Sequence, residues 1–124
     1  MVLADVLKAA GEPTRLRLLN LLRQGDICVC DLQAVLSLPQ HTVSRHLAAL
    51  RHAGLVVDQR NGQRVIYSLA MAATTQVQSL RELLDKCCEA EAVFRKDLTR
   101  LKRLLREGEC SLVKEAQHEE RTAR

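Results

Sequence analysis

The fold of this 124-residue chain is decided by residues 38–55, which read LPQHTVSRHLAALRHAGL. Pro39 and Gly54 are the start and stop signals of one helix. Its apolar side chains recur at the spacing of a single helix face, at Val43, Leu47 and Leu50. A helix with one apolar face packs that face on a core and leaves the opposite face polar. The stretch therefore predicts a surface helix whose outer face is available for binding.

The residues before this stretch predict three more helices. They cover residues 1–10, residues 13–24, and a third segment that begins at Asp26 or Cys30 and ends near Leu38. A proline in the first turn of the second helix and a glycine after its end fit the usual signals for helix termini. The third and fourth helices are separated only by a short break, so together they predict a helix-turn-helix.

The residues after the fourth helix predict a β-hairpin. Two β-rich runs, residues 55–57 and 65–67, flank a polar segment that contains Asn-Gly, the strongest short-range hairpin signal. The tip of this hairpin carries Arg60 and Arg64 and no acidic residue. A helix-turn-helix followed by a basic hairpin is a winged helix-turn-helix. The predicted fold class is therefore mainly α with a small β-hairpin wing and a long C-terminal helix.

The outer face of the fourth helix carries side chains suited to reading double-stranded DNA. Residues 40–64 hold four arginines and three histidines against one aspartate, a balance that suits a phosphate backbone. Arginine can bind guanine and glutamine can bind adenine in the major groove. We expect base-reading residues near the helix N-terminus, phosphate contacts at the edges of that face, and phosphate or minor-groove contacts from the hairpin. In that order they are Gln40, His41, Ser44 and Arg45; Thr42 and His46; and Arg60 and Arg64.

The C-terminal half predicts one long helix. Residues 70–107 contain neither proline nor glycine. Apolar positions three and four apart form a heptad seam, interrupted only by a glutamate, at Val77, Leu80, Leu84, Cys87, Glu91, Phe94, Leu98, Leu101 and Leu105. A single small domain is too short to cover such a helix, so a symmetric homodimer is predicted. The predicted organisation is a DNA-binding domain over 1–70, a dimerisation helix and sensor segment over 71–107, and a flexible polar tail over 108–124.

Composition excludes several classes of protein. The chain is 47% hydrophobic, 27% charged and only 2% aromatic, with a net charge of +4, which excludes a disordered chain. No stretch approaches the roughly 18 apolar residues of a membrane span. The N-terminus lacks the basic and apolar segments of a secretory signal, so a cytoplasmic protein is expected. Neither a carboxylate pair nor a phosphate-binding glycine loop is present, so the sequence predicts no enzyme.

Five cysteines are the remaining chemical signal, and they occur as Cys28 and Cys30, Cys87 and Cys88, and Cys110. An odd number without an export signal indicates free thiols, which serve as core residues, soft-metal ligands or redox groups. Thiolate sites suit As(III) or Sb(III), and they also bind Cd(II), Pb(II) or Zn(II). Two rival sites follow, Cys28 with Cys30, or Cys87 with Cys88, and Cys110 is available as a third ligand.

Helix geometry constrains both pairs. On an intact helix Cys28 and Cys30 point about 200° apart, so they converge only where the backbone is extended at the start of the third helix. A helix N-terminus there lowers a thiol pKa, which Asp26 and Asp31 oppose. The adjacent side chains of the second pair diverge by about 100°, so chelation is awkward within one helix, although thiols from two subunits can meet near a dimer axis.

Three segments resemble the arsenical-repressor (ArsR/SmtB) family, namely residues 11–19 (GEPTRLRLL), 26–32 (DICVCDL) and 42–55 (TVSRHLAALRHAGL). The resemblance covers roughly residues 2–70. It implies homodimeric winged-helix repressors that leave their operators when a thiophilic or transition metal binds, with residues 40–46 reading DNA. Arsenic-sensing members typically carry a third cysteine where this chain has Gln33. Some members place a vicinal cysteine pair in the C-terminal helix, so the resemblance supports both rival sites.

The sequence therefore predicts a homodimeric repressor of a metalloid-resistance operon. It binds an operator with an inverted repeat and is released when As(III) or Sb(III) binds cysteine thiolates. One alternative keeps the repressor and makes Cd(II), Pb(II), Zn(II), thiol oxidation or persulfidation the signal. A thiol oxidoreductase, a metal carrier and a coiled-coil interaction protein are further alternatives, and they leave the basic hairpin without a role.

Overall fold

Helices and a small antiparallel sheet alternate along the chain, of which the computed structural model describes residues 1–70 and 75–107. In chain order the elements are α1 (Val2–Ala10), α2 (Pro13–Leu22), β1 (Ile27–Cys28), α3 (Val29–Leu36), α4 (Gln40–His52), β2 (Val56–Asn61), β3 (Arg64–Leu69), α5 (Thr75–Cys87), a short 3-10 helix (Cys88–Ala90) and α6 (Ala92–Glu107). The predicted fold class, mainly α with a β-hairpin wing, is confirmed.

The helix-turn-helix forms where the sequence predicts it. Helix α2 begins at Pro13, and the Glu12 carboxylate accepts the backbone N–H of Arg15 at 2.9 Å, which satisfies one of the unpaired donors of the first turn. Helix α3 ends at Ser37, whose φ of 56° is left-handed and turns the chain sharply. Pro39 then precedes the first turn of α4. These local signals place α4 directly after α3.

The sheet contains one strand that the sequence did not reveal. Its strand order is β1-β3-β2, with all neighbours antiparallel. The predicted hairpin is β2 and β3, closed by a tight turn in which Gly62 has a φ of 67°. The two-residue strand β1 pairs with the far side of β3, Cys28 facing Ile66. A strand this short has no periodicity to detect, yet it fixes an extended backbone immediately before α3.

The core is aliphatic and is shared by all the helices. Its fully buried side chains are mostly leucines from α2, α3 and α4, including Leu18, Leu19, Leu21, Leu32, Leu47 and Leu50. The apolar face predicted for α4 is buried, with Val43, Leu47 and Leu50 each fully inaccessible. Burial of such a side chain contributes roughly 1.5–3 kcal/mol. The polar face of α4 is consequently fixed toward solvent.

The prediction of one continuous helix over residues 70–107 is wrong. Helix α5 ends at Cys87, the 3-10 helix follows, and Glu91 has an extended backbone (φ −112°, ψ 135°) before α6 begins. Helix α6 folds back and packs against α2 and α3. The Asp97 carboxylate binds Arg17 of α2 through two hydrogen bonds of 2.8 and 2.9 Å. The buried Asn20 amide donates to the Phe94 carbonyl at 3.3 Å.

These contacts explain why the heptad seam does not need a partner helix. Its residues Val77, Leu80, Leu84, Phe94 and Leu101 are buried within the chain itself. A heptad pattern records which residues are buried, and it is the same whether the partner belongs to another subunit or to the same domain.

A different apolar surface stays open between α1 and α5. Leu3, Leu7 and Leu83 are each at least half exposed there. They line a groove of about 300 Å³ together with Val6 and Leu80. No helix among the described residues is long and apolar enough to cross a membrane.

Candidate metal centre and DNA-reading surface

The backbone at the start of α3 brings Cys28 and Cys30 together. Cys28 precedes the helix with extended dihedral angles (φ −76°, ψ 155°), because strand β1 holds it against β3. Cys30 lies in the first turn of α3. The two sulfur atoms are 2.9 Å apart. The geometric condition derived from the sequence, an extended backbone at this position, is therefore met.

Asp31 is a third possible donor at this site, whereas the sequence predicted it only as a charge that opposes a lowered thiol pKa. Its buried carboxylate accepts a hydrogen bond from the Cys28 thiol at 2.7 Å. One donor atom from each of Cys28, Cys30 and Asp31 lies within 4.8 Å of the others, and no other such group of three occurs in residues 1–70 and 75–107. The signal was present in the sequence as the run Cys-Val-Cys-Asp, in which the residue after the second thiol carries an oxygen ligand.

Burial and hydrogen bonding keep the Cys28 thiol protonated. Burial is the largest cause that raises its pKa, followed by the hydrogen bonds to Asp31 and to Cys30. The lowering expected from a helix N-terminus is thus outweighed. A metal ion that binds here must displace the thiol proton. Cys30 is exposed and gives an ion access to the site from solvent.

The two cysteines of the second pair differ in exposure. Cys87 ends α5 and is exposed, whereas Cys88 begins the 3-10 helix and is buried. Burial raises the pKa of the Cys88 thiol. The opposite exposure of the two side chains matches the divergence expected from helix geometry. Cys110, the remaining cysteine, lies outside the described residues.

Helix α6 runs from the neighbourhood of Cys88 to the neighbourhood of Cys28. Its first turn follows the 3-10 helix that contains Cys88. Near its other end, Leu104 and Leu105 pack against Cys28 and Ile66. The last described residue of α6, Glu107, is three positions before Cys110 in the sequence.

The predicted base-reading residues share the outer face of α4. Gln40, His41, Ser44 and Arg45 are all exposed, opposite the buried apolar face. Thr42 is partly buried at the edge of this face. These side chains lie near the N-terminus of the helix, where a recognition helix meets base edges.

His46 is placed differently from the other predicted DNA contacts. Its Nδ1 accepts a hydrogen bond from the Arg15 guanidinium at 3.2 Å and lies 3.6 Å from the Glu12 carboxylate. These contacts tie α4 to the start of α2. One ring nitrogen of His46, Nδ1, is therefore occupied by a contact between α2 and α4.

The wing presents its arginines as the sequence predicts. Arg60 on β2 and Arg64 at the start of β3 are both exposed. Arg60 pairs in register with Val65, and Arg64 pairs with Asn61 beside the turn. The two cations are thus at the end of the hairpin that projects from the core.

One cleft joins the thiols to the predicted DNA-reading residues. It has a volume of about 200 Å³ and lies between the start of α3, the start of α4 and the wing. Its lining includes Cys28, Cys30, Gln40, Ser44 and Arg64. An ion held by the two sulfurs would occupy the same cleft as the first residues of α4.

A helix-turn-helix with an exposed polar reading face, followed by an arginine-bearing hairpin, defines a winged helix-turn-helix of the DNA-binding class. The chain belongs to the arsR family of bacterial regulatory proteins, whose family model matches residues 12–57. This family consists of transcriptional regulators and not of enzymes. The alternatives of a thiol oxidoreductase and of a simple coiled-coil protein are thereby removed.

Similar proteins of known sequence include metal-resistance regulators. The arsenic resistance transcriptional regulator ArsR1 of Pseudomonas putida is 48% identical over 65 residues, which cover 52% of this chain and 51% of that protein. The chain thus spans about half the length of the curated relatives that it matches first.

Solved structures of similar proteins share the fold over more of the chain. HlyU from Vibrio cholerae is 36% identical with a TM-score of 0.61, and the match covers 67% of this chain and 87% of HlyU. The homodimeric winged helix-turn-helix DNA-binding domain of Mb0332 from Mycobacterium bovis is 32% identical with a TM-score of 0.61, over 71% and 79% of the two chains.

Proposed function

We propose that this protein is a cytoplasmic, homodimeric repressor of a metalloid-resistance operon, released from its operator when As(III) or Sb(III) binds Cys28 and Cys30. The observation that carries the proposal is the shared cleft, because the converging thiols line it together with Gln40 and Ser44 of the reading helix. The likeness to an arsenic resistance regulator supports the nature of the signal.

The proposed DNA contacts follow from the exposed face of α4 and from the wing. Gln40, His41, Ser44 and Arg45 read base edges in the major groove of an operator half-site. Thr42 and the free edge of His46 contact phosphate. Arg60 and Arg64 bind a phosphate or the adjacent minor groove. Two such half-sites, related by the dimer axis, require an inverted repeat.

In this proposal the structural change that causes release occurs within one subunit and does not require a change at the dimer interface. An ion bound by the two sulfurs breaks the hydrogen bond from Cys28 to Asp31 and fills the cleft beside Ser44. The start of α3 and the start of α4 then shift relative to the wing, which misplaces the base-reading side chains. A hundredfold loss of operator affinity requires the ion to bind the free protein about 2.7 kcal/mol more tightly than the DNA complex.

The donor set bears on which ion is sensed. Two thiolates with no third cysteine at Gln33 make an incomplete trigonal site for As(III) or Sb(III). Asp31 offers an oxygen as the third donor, which also suits Zn(II), Cd(II) or Pb(II). Cys110 is the alternative third donor. Leu104 and Leu105 of α6 pack against Cys28, and Cys110 follows them by five to six positions in the sequence.

We propose that the dimer forms through the open groove between α1 and α5. Its exposed leucines Leu3, Leu7 and Leu83 form an apolar surface beside the seam that the chain buries internally. A second copy of the chain would cover this surface symmetrically. The homodimeric state of the Mb0332 domain supports a dimer.

The decisive experiment compares two paired variants. Operator binding is measured by fluorescence anisotropy on the DNA upstream of the protein's own gene, with and without As(III), Sb(III), Cd(II), Pb(II) or Zn(II). Cys28→Ser with Cys30→Ser should bind the operator and lose release. The matched control, Cys87→Ser with Cys88→Ser, should bind and still be released.

Each other outcome has a definite meaning. Release that persists in the first variant and disappears in the second moves the sensor to Cys87 and Cys88, with Cys110→Ser testing the third ligand in either case. Wild-type protein that does not bind this DNA at moderate salt refutes the repressor. Release by an oxidant or a persulfide donor, but by none of the five ions in the presence of a reductant, makes the thiols a redox switch.

A further inference from the structure

The exposed side of α6 carries a dense positive charge that the proposed function leaves unused. The helix contains six basic and two acidic side chains, a formal charge of +4 that equals the net charge of the whole protein. One of its acids, Asp97, is buried against Arg17. The charged side chains that α6 exposes to solvent are therefore nearly all basic.

The cations follow the helix in one row. Lys96, Arg100 and Arg103 recur four and three residues apart, opposite the buried Phe94, and with the adjoining Arg95 they line a shallow groove. Among the described residues, none of these four side chains forms an ion pair with a carboxylate. A solvated helix usually mixes both charge signs, and like charges at this spacing destabilise the helix. The row therefore indicates a polyanionic partner.

The position of the row indicates which polyanion. The Arg100 guanidinium donates to the Ala34 carbonyl at 3.2 Å and to the Ser37 hydroxyl at 2.8 Å. Ser37 is in the turn between α3 and α4, three residues before Gln40. The cationic row thus lies beside the turn that leads into α4, the helix with the proposed DNA-reading face.

We propose that the cationic face of α6 binds the phosphate backbone of the duplex that flanks the operator half-site. This inference rests on the proposed DNA binding and extends it from α4 and the wing to a third element. Phosphate contacts fix register and add affinity without reading sequence. Each one also releases a condensed counterion, so the face should steepen the salt dependence of binding.

The test removes two cations of the row that make no hydrogen bond in the described part of the chain, Lys96 and Arg103. The variant Lys96→Gln with Arg103→Gln is compared with Lys8→Gln with Lys86→Gln, which removes the same charge from exposed positions on α1 and α5. Dissociation constants are measured by anisotropy between ~50 and ~200 mM salt, where each phosphate contact contributes about 0.9 to the slope of log K against log salt.

The proposal expects the slope to fall by about two for the α6 variant and to stay unchanged for the control. Non-specific duplex should lose affinity in the same ratio, since backbone contacts carry no sequence information. Lys96→Arg with Arg103→Lys keeps both charges and should keep the slope. On a duplex trimmed to the half-sites, wild type and variant should converge.

The proposal is overturned if the α6 variant and the control variant give equal slopes of log K against log salt. This holds whether both slopes equal that of the wild type or both are lowered by the loss of net charge alone. That result leaves the face to a different partner, such as an acidic protein. The proposed function fails separately, when the wild type does not bind the upstream DNA or when As(III) does not release it. The α6 variant should still be released by As(III), because it retains Cys28 and Cys30.

Discussion

The docking of α6 on α2 can be tested through Asp97. Its side chain is 3% exposed and forms two charged hydrogen bonds with Arg17, at 2.8 and 2.9 Å. The substitution Asp97→Asn keeps the shape and removes the charge, so one of the two bonds is lost and the guanidinium is left without its counter-ion. The perturbation therefore acts on a contact that holds α6 against α2.

The magnitude follows from the burial of the two partners. Breaking a fully buried ion pair costs about 3–5 kcal/mol. Arg17 is 25% exposed and can recover some hydration, so we expect a loss of about 2–3 kcal/mol in the free energy of unfolding. For a domain of this size that corresponds to a fall in Tm of about 6–12 °C.

Thermal unfolding followed by circular dichroism measures the effect, and Asp85→Asn is the matched control. Asp85 also accepts an arginine hydrogen bond at 2.9 Å, from Arg23, but it is 48% exposed, so its loss should cost at most about 1 kcal/mol. A double-mutant cycle with Arg17→Gln should show a coupling of about 1–3 kcal/mol between Arg17 and Asp97. If Asp97→Asn and Asp85→Asn unfold at the same temperature with no coupling, the Arg17–Asp97 pair does not hold α6 on α2.

Four further outcomes are expected. Burial and the hydrogen bond to Asp31 raise the pKa of the Cys28 thiol, so Cd(II) must displace the thiol proton when it binds. The affinity for Cd(II) should therefore rise with pH, by up to about tenfold per pH unit for each proton displaced. An affinity that does not change with pH in a chelator competition would contradict this. Asp31→Asn should weaken Cd(II) binding by about tenfold or more, and an unchanged affinity would remove Asp31 from the donor set. Leu83→Glu should shift the protein to a monomer in sedimentation, whereas Val93→Glu, a similar change on exposed α6, should leave the dimer intact. Gly62→Ala should cost about 1 kcal/mol in urea denaturation, because a φ of 67° is strained for a residue with a Cβ; an unchanged midpoint would argue against the tight turn.

Local signals in the sequence were sufficient for the DNA-reading half. The apolar spacing of Val43, Leu47 and Leu50 determines which face of α4 is buried, and hence that Gln40 and Arg45 face outward. The hairpin follows from its Asn-Gly turn. These features depend on residues within one or two turns of each other, so the chain specifies them without reference to distant contacts.

The candidate metal site was only partly predictable. The need for an extended backbone at Cys28 follows from helix geometry, but the reason that it is extended is the pairing of Cys28 with Ile66, which is distant in sequence. Asp31 could have been chosen from the Cys-Val-Cys-Asp run. The cleft that brings the thiols to Ser44 could not, because it is enclosed by three separate elements.

The sequence by itself determined the fold class, the reading face of α4 and the residues available as soft-metal ligands. Only the tertiary structure decided where the C-terminal segment goes. The heptad pattern specifies that Phe94 and Leu101 are buried and is silent about the surface that buries them. The ion pair between Arg17 and Asp97, eighty residues apart, helps to hold α6 against the chain's own core. The opposite face of α6, with its row of cations, is therefore left in solvent.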